Sequence, residues 1–227
     1  MRKKRSKIDM KSLANLLLLL SLCFACSQDS EETLYSYDLA IPMGFPKPDI
    51  PENNELNADR IHLGKLLFFD PVLSRDSTIS CGTCHKQEFA FADNLPTTPG
   101  IEDRPGTRNV TSLTNVAYQD LLLREGSIPT IEQQILAPVQ EHNEFDFNFT
   151  GILKRLKKDS VYTQLARKTY DRTIDPFVIT RAIAAFERTM ISGNSPYDQF
   201  VFQGKTNAPL SKRFIRWISR SCFYSQI

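Results

Sequence analysis

The sequence predicts a mainly α-helical protein with long loops and little or no strand. Several segments carry apolar residues at helical spacing behind a capping residue, and no segment shows the apolar–polar alternation of a strand. With 41% hydrophobic residues among 227 positions, the chain can bury a core of its own. The length suits one domain or a domain with a fragment of a second one.

The first 25 residues have the order of a secretory signal peptide. Six basic side chains within residues 2–11 precede an apolar run at 13–22. This run is shorter than the roughly 20 apolar residues of a membrane-spanning helix. Removing the six positive charges and the negative charge of Asp9 takes the net charge from +2 to −3. The basic character therefore belongs to targeting and indicates no nucleic-acid partner.

The segment Cys23-Phe24-Ala25-Cys26 ends the apolar run. It resembles a bacterial lipoprotein signal, in which a cysteine behind a small residue is lipidated and becomes the mature N-terminus, although Cys23 stands where that pattern prefers Leu. We expect a periplasmic or cell-envelope protein held to the membrane by lipid at Cys26. The alternative is ordinary cleavage that leaves Cys26 free or disulfide-bonded. Both alternatives place the mature protein outside the cytoplasm.

The predicted elements follow a polar, proline-rich tether over residues 26–55. Helices are expected over residues 58–68, a short segment with residues 81–85, 131–137, 150–158, 160–170, and from Pro176 to Ser192-Gly193. Asn57, Thr130 and Asp175 are the expected N-caps of the first, third and last of these helices. Asp70-Pro71 is expected to end the first helix, and Pro138 the third. Residues 92–111 are expected to form a long, functional loop because prolines and glycines interrupt them.

Cys81-Gly82-Thr83-Cys84-His85 is the motif with the most specific chemistry. Its thiols lie one helical turn apart, so both can bond to one porphyrin, and the next residue presents an imidazole to the iron. A zinc site would need further ligands, and only His62, His142 and Cys222 remain for that role. A thioredoxin-like C-x-x-C would need a βαβ setting, which the pattern lacks. We predict one covalent haem c, attached at Cys81 and Cys84 with His85 as axial ligand.

The residues around this motif form a long series of further motifs. In chain order they are Leu63–Pro71, Leu73-Ser74, Ile79–Cys81, Phe91-Ala92-Asp93, Arg108-Asn109, Leu113–Tyr118, Glu125-Gly126, Glu132-Gln133-Gln134, Ala137–Gln140, Ile179–Thr189 and Ser195–Asp198. From about Leu56 to Ser211 the chain resembles the first half of bacterial di-haem cytochrome c peroxidases, a family that includes the methylamine-utilisation (MauG) proteins.

The resemblance implies a cytochrome c-like haem domain at residues 56–211 that reduces hydrogen peroxide to water. The electrons would come from a small donor protein such as a cytochrome c or a cupredoxin. By position in the family, Glu144 would take a proton from peroxide and return it to the departing oxygen, and Gln134 would hydrogen-bond the bound oxygens. His142 matches no family role and is expected at the surface.

Two positions depart from the family. Ile101 stands where many members carry a switchable distal histidine, so we expect an open sixth position on the iron. Leu123 stands where a tryptophan commonly lies between the two haems.

The chain also departs at its C-terminus, where residues 212–227 contain one cysteine and no histidine in place of a second haem domain. We interpret this atypical tail as a truncated or frameshifted gene end that impairs activity; it also has the pattern of a basic amphipathic helix. Asn109 matches a family residue near a calcium ion, whose site we expect to be incomplete here.

Two other functions remain open at this stage. One is a single-haem electron-transfer or haem-binding protein without turnover. The other is MauG-like oxidation of a protein substrate. An open, high-spin haem that reacts with peroxide separates the first alternative from both enzymatic functions, and oxidation of the donor protein separates the peroxidase from the MauG-like enzyme.

Overall fold

The structure is a computed structural model that describes residues 36–205, 210–213 and 216. The predicted signal peptide, Cys26 and most of the C-terminal tail, including Cys222, lie outside the described residues. The helices, in chain order, are α1 (Ala58–Phe69), α2 (Cys81–Cys84), α3 (Ile131–Gln134), α4 (Leu136–Gln140), α5 (Phe149–Leu156), α6 (Ser160–Tyr170), α7 (Pro176–Glu187) and α8 (Pro196–Val201).

Extended pairing among the described residues is confined to isolated bridges. These join Ser36 to Asn57, Lys86 to Ala92, Pro99 to Pro105 and Leu122 to Ile128. The prediction of a mainly α fold is therefore confirmed. Long loops connect the helices, and short 3-10 turns within them include Gln87–Phe89 and Ile101–Asp103. No helix within the described ranges is long and apolar enough to cross a membrane.

The structure places most of the predicted helices as expected. Asn57 caps α1 by accepting a hydrogen bond from the backbone of Arg60 at 2.8 Å, and α6 has the predicted bounds. The cap of α5 is Asn148, two residues before the predicted first residue, Thr150. The helix begins after Asn148 because the side-chain oxygen of this residue accepts a hydrogen bond from the N–H of Gly151 at 2.9 Å.

The expected helix end at Pro138 was wrong. The helical segment breaks earlier, at Ile135, and α4 then continues through Pro138 to Gln140. Pro138 is the third residue of α4, within the first turn, where the backbone N–H has no intrahelical acceptor. A proline costs little at such a position, so Pro138 does not end the helix.

Two long helices, α1 and α7, cross at the centre of the fold. Gly64 of α1 lies so close to the carbonyl group of Ala182 in α7 that a Cβ at this position would overlap the oxygen. A glycine is therefore needed to bring the two backbones together. At the crossing the ring of Phe68 packs against that of Phe186, with centroids 5.3 Å apart, and Leu67 is buried in the same core.

Helix α7 is buried along most of its length. Asp175 caps it by accepting the N–H of Val178 at 2.9 Å, and Pro176 occupies the first helical position, as predicted. Almost every side chain from Val178 to Glu187 is buried. A helix buried on all sides is normally apolar on all sides, so the carboxyl group of Glu187 requires an explanation.

Candidate haem site

The cysteine pair lies on the short helix α2, which packs against the end of α1. Ser80 and Thr83 form a reciprocal cap, with the N–H of Ser80 donating to Thr83 Oγ1 at 3.0 Å. Gly82 contacts the ring of Phe69, and a Cβ on Gly82 would come within 2.5 Å of that ring. This close packing fixes the orientation of the helix and keeps Cys81 and Cys84 one turn apart on the same face.

His85 follows α2 directly and is oriented by a backbone carbonyl group. Its Nδ1 lies 2.7 Å from the carbonyl oxygen of Phe91. Because a carbonyl oxygen only accepts, Nδ1 carries the hydrogen and donates it, which leaves Nε2 with a free lone pair. Burial lowers the pKa of His85. The imidazole is therefore in the neutral form that binds a metal.

A strained turn holds the Phe91 carbonyl group in place. Ala90 and Phe91 both have left-handed backbone conformations, with φ of 58° and 56°. Two hydroxyl groups fix the turn by donating to the Ala90 carbonyl oxygen, Ser112 at 2.5 Å and Thr114 at 2.9 Å. Consecutive left-handed residues other than glycine are uncommon and cost free energy, so the surrounding hydrogen bonds must stabilise the turn.

Both thiols and His85 line one cavity of about 410 Å³. This volume lies within the range of small-molecule and cofactor sites. The two polar residues implied by the family resemblance, Gln134 and Glu144, line the same cavity. The structure therefore brings together five residues that lie up to 63 positions apart in the sequence.

The Glu144 backbone is held against the loop that begins at Gly100. The N–H of Ile101 donates to the carbonyl oxygen of Glu144 at 3.0 Å. Gly100 fits against the Asn143 carbonyl group so closely that a Cβ would overlap it. These contacts link the proline-rich loop predicted to be functional with the residue predicted to be the acid–base group.

An ion-pair cluster beside this contact joins the same two loops. Arg104 lies 2.7 Å and Arg75 lies 3.1 Å from Asp146 Oδ2, and both guanidinium groups also pair with Glu102. The carboxyl group of Asp146 is about one quarter exposed, and the hydrogen bond from Arg104 holds its pKa below the ordinary value. The cluster limits how far the Glu144 loop can move from the loop at residues 101–104.

Burial at the cavity raises the pKa of Glu144 and of both cysteine thiols. Burial, followed by the charge of Glu141, raises the pKa of Glu144, although this side chain remains accessible through the cavity. Burial raises the pKa of Cys84 to about 11 and raises that of Cys81 further. Both cysteines are therefore neutral thiols at neutral pH rather than reactive thiolates.

Glu187 is the cavity residue that the sequence analysis missed. It lines the cavity from the end of α7, yet its side chain is only 4% exposed, and its Oε2 has no hydrogen-bond partner in the described structure. Burial raises its pKa to about 8. One sequence signal was present, because Glu187 continues the apolar series Ile179 and Ile183 at four-residue spacing and so falls on a buried face.

The residue after Glu187 forms the most buried ion pair among the described residues. Arg188 donates to both carboxylate oxygens of Glu132, at 2.7 and 3.0 Å, and the two side chains are 5% and 11% exposed. Asn54 donates to the same carboxylate at 2.7 Å. Because Glu132 lies in α3 with Gln134, this pair fixes the helix that carries Gln134 to the end of α7.

Other residues of the sequence analysis lie outside the cavity or at its edge. Ile101 is completely buried and is not a cavity-lining residue, whereas Leu123 lines the cavity and is 38% exposed. His142 is at the surface, as expected, with 70% of its side chain exposed. Both oxygens of Asn109 accept hydrogen bonds from Arg124. A cation at Asn109 would meet this guanidinium group, which disfavours calcium there.

A sequence profile of the family described as di-haem cytochrome c peroxidase matches residues 58–207. The chain belongs to this family. It is 31% identical over 173 residues to the methylamine utilization protein MauG of Methylophilus methylotrophus, which covers 74% of this chain and 52% of that protein. It is 31% identical over 142 residues to the cytochrome c551 peroxidase of Pseudomonas aeruginosa, which covers 61% of this chain and 41% of that protein.

The fold agrees with this assignment. The chain superposes with a TM-score of 0.69 and 28% identity on a MauG-like protein associated with microbial copper homeostasis, over 78% of this chain and 52% of that one. The predictions of the family and of a cytochrome c-like, mainly α domain are therefore confirmed. The family is one of haem c-containing oxidoreductases, and the chain spans about half the length of the relatives it matches.

Proposed function

We propose that this chain binds one haem c in the cavity, attached through Cys81 and Cys84 with His85 as the axial ligand. The observation that supports this is the orientation of His85, whose Nδ1–H donates to the Phe91 carbonyl oxygen and leaves Nε2 for iron. Histidine ligands are commonly oriented in this way. The two thiols on one face of α2 and the adjoining cavity also suit a porphyrin.

The function that the site supports best is reduction of hydrogen peroxide to water. The reaction consumes two electrons and two protons for each peroxide and yields two water molecules. The haem, when bound, supplies the iron that binds peroxide and accepts electrons. A small electron-donor protein, a cytochrome c or a cupredoxin, would deliver these electrons to this chain.

Glu144 would transfer the protons, and Gln134 would hydrogen-bond the oxygen atoms of the peroxide. Burial raises the pKa of the Glu144 carboxyl group above its ordinary value, and a carboxylic acid shifted in this direction is a better proton donor and acceptor in catalysis. Glu144 takes a proton from one peroxide oxygen and gives it to the departing one. Gln134 orients the peroxide by hydrogen bonding, and the Arg188–Glu132 pair holds the helix of Gln134 in place.

Ferric-state spectra and peroxide kinetics test this function. A high-spin ferric spectrum, rapid reaction with hydrogen peroxide, and turnover with a reduced donor protein would support the peroxidase. A six-coordinate, low-spin spectrum without a peroxide reaction would make the chain an electron carrier. Reaction with peroxide followed by oxidation of a protein substrate instead of a donor would indicate MauG-like chemistry.

For its location, we propose that the mature chain lies in the periplasm or cell envelope, anchored by lipid at Cys26. The sequence order of the first 32 residues supports this. Acyl chains contribute about 0.8 kcal/mol for each buried CH₂, so several chains hold a protein firmly. Cys26→Ala should release the protein into the soluble fraction, and unchanged membrane association would contradict the proposal.

A further inference from the structure

Glu187 is a buried carboxyl group that faces the cavity without a partner for Oε2 among the described residues. An isolated ionised carboxylate is costly to bury, so buried acids are normally paired or neutral. Glu132 shows the paired case nearby, because Arg188 binds both of its oxygens. Glu187 has no such ion pair, so its burial favours the neutral acid. Its position next to the haem attachment site suggests a use for the proton that it carries.

The charged and titratable groups around Glu187 come from α2, from α3 and from the residue that follows α7. They are Cys81 of α2, Arg188 directly after α7, and Glu132 of α3. The positive charge of Arg188 is already paired with Glu132, so it stabilises an ionised Glu187 only weakly. Burial is the largest effect, and the pKa is raised to about 8, where both protonation states are accessible near neutral pH.

We propose that Glu187 binds and releases one proton as the haem in this cavity is reduced and reoxidised. This inference rests on the proposed function, because it requires haem at Cys81 and Cys84. The ferric iron–porphyrin unit carries one net positive charge and the ferrous unit carries none. An ionised Glu187 is therefore favoured beside the ferric unit, and the protonated acid is favoured beside the ferrous one.

The step balances in electrons and protons. A one-electron donor reduces the iron, and one proton from water binds a carboxylate oxygen of Glu187, so the net charge of the cavity is unchanged. Reoxidation reverses both transfers, and no bond to the porphyrin forms or breaks. This role differs from that of Glu144, which is accessible through the cavity and acts on peroxide.

The midpoint potential of the covalent haem, measured by spectroelectrochemistry on both sides of pH 8, tests the coupling. In the wild type the potential should fall as pH rises through this region, because ionised Glu187 stabilises the ferric state. Glu187→Gln should lose this fall. Glu141→Gln is the matched control, because Glu141 is an exposed carboxylate at the same cavity and should leave the dependence in place.

Infrared difference spectra of the reduced and oxidised wild type give a second measurement that needs no variant to fold. Reduction should produce the C=O stretching band of a protonated carboxylic acid, which shifts in D₂O. The band should vanish in Glu187→Gln and move in Glu187→Asp.

The outcomes separate this inference from the function on which it rests. Full pH dependence in Glu187→Gln, or no acid band in the wild type, would overturn the inference alone. A chain that matures without covalent haem would overturn both the inference and the proposed function.

Discussion

His85 Nδ1 lies 2.7 Å from the Phe91 carbonyl oxygen, six residues further along the chain. The contact depends on the left-handed conformations of Ala90 and Phe91, which turn the chain back toward the end of α2. The backbone strain at these two residues costs free energy, and the hydrogen bond that it permits orients Nδ1 of His85. Such an arrangement suits a residue that must present its other nitrogen to a metal in one direction.

The haem attachment itself gives the first prediction. Replacing Cys81 and Cys84 together with Ala should leave at most noncovalent haem, because thioether bonds need both sulfur atoms. Mass spectrometry of denatured protein from a haem-attaching host measures this. The wild type should carry one haem, since the sequence holds one C-x-x-C-H motif. Two haems, or none after denaturation, would contradict the prediction.

Substitution of the cavity acid gives the second prediction. Glu144→Gln should slow the reaction with hydrogen peroxide by about 10²- to 10⁴-fold, the usual contribution of a positioned acid–base group. Stopped-flow absorbance measures the rate. Cyanide binding should change much less, because it needs an open iron but no cleavage of an O–O bond.

Glu125→Gln is the control for Glu144→Gln, because Glu125 lines the same cavity, is exposed and pairs with Arg108 instead of acting on Glu144. If both variants react like the wild type, Glu144 is not the acid–base group.

The helix crossing gives the third prediction. Gly64→Ala should destabilise the protein by about 1–3 kcal/mol, the usual effect of overpacking. The added methyl group would overlap the backbone carbonyl group of Ala182, which cannot move aside as a flexible side chain could. Denaturant titration of the holoprotein measures the change. Lys65→Ala is the control on the same helix, since Lys65 is exposed and alanine favours helix. Equal stabilities of the two variants would mean that the helices can separate without cost.

The sequence predicted the helices well because their signals are local. Asn57, Asp175 and Pro176 act through bonds or conformations within one turn, and the structure has helices that begin where they predict. The end of α7 was predicted less well, because the helix stops at Glu187 and not at Ser192-Gly193. The helix end predicted at Pro138 was wrong because a proline ends a helix only beyond its first turn, and Pro138 lies within the first turn of α4. The break at Ile135, which makes α4 a new helix, has no strong local signal in the sequence. Local rules identify helix starts more reliably than interior breaks.

The site was predicted only in part. The motif at residues 81–85 defines its own chemistry, and family position placed Gln134 and Glu144 at the same cavity. Glu187 was missed because an acid within a helix is usually solvated. Its burial follows from the crossing of α7 with α1, which is a long-range contact. The strained turn at Phe91 was missed for a similar reason, because hydroxyl groups about 20 residues away fix it.

The buried ion pair gives the fourth prediction. Arg188→Ala should destabilise the protein by about 3–5 kcal/mol, because it leaves Glu132 buried without its partner. Lys168→Ala is the control, since Lys168 and Asp59 form an ion pair with side chains 43% and 33% exposed, and such pairs contribute about 0–1 kcal/mol. Denaturant titration compares the variants. A loss as small as that of the control would mean that Glu132 finds another partner or takes up a proton.

The pH dependence of stability gives the last prediction, at Glu187. Burial raises the pKa of this acid in the folded state from 4.5 to about 8, so between these values the folded protein binds more protons than the unfolded chain. Stability due to a neutral Glu187 is therefore complete below about pH 4.5 and is lost as pH rises toward 8, by at most about 1.4 kcal/mol per pH unit. Glu187→Gln stays neutral throughout and should avoid this loss.

Denaturant titration of the holoprotein and of Glu187→Gln at several pH values, with the iron kept ferrous so that the protonated acid is the favoured form, measures the effect. The free energy of unfolding of the variant should rise relative to the wild type across the window from 4.5 to about 8 and stay level above it. Glu132 titrates in the opposite sense, because Arg188 lowers its pKa beyond what burial adds. Its contribution cancels in the comparison, since both proteins keep that pair. A difference that does not change with pH would mean that Glu187 is ionised in the folded protein, and the cavity would then have to contain a cation or hydrogen-bond donor that stabilises the charge.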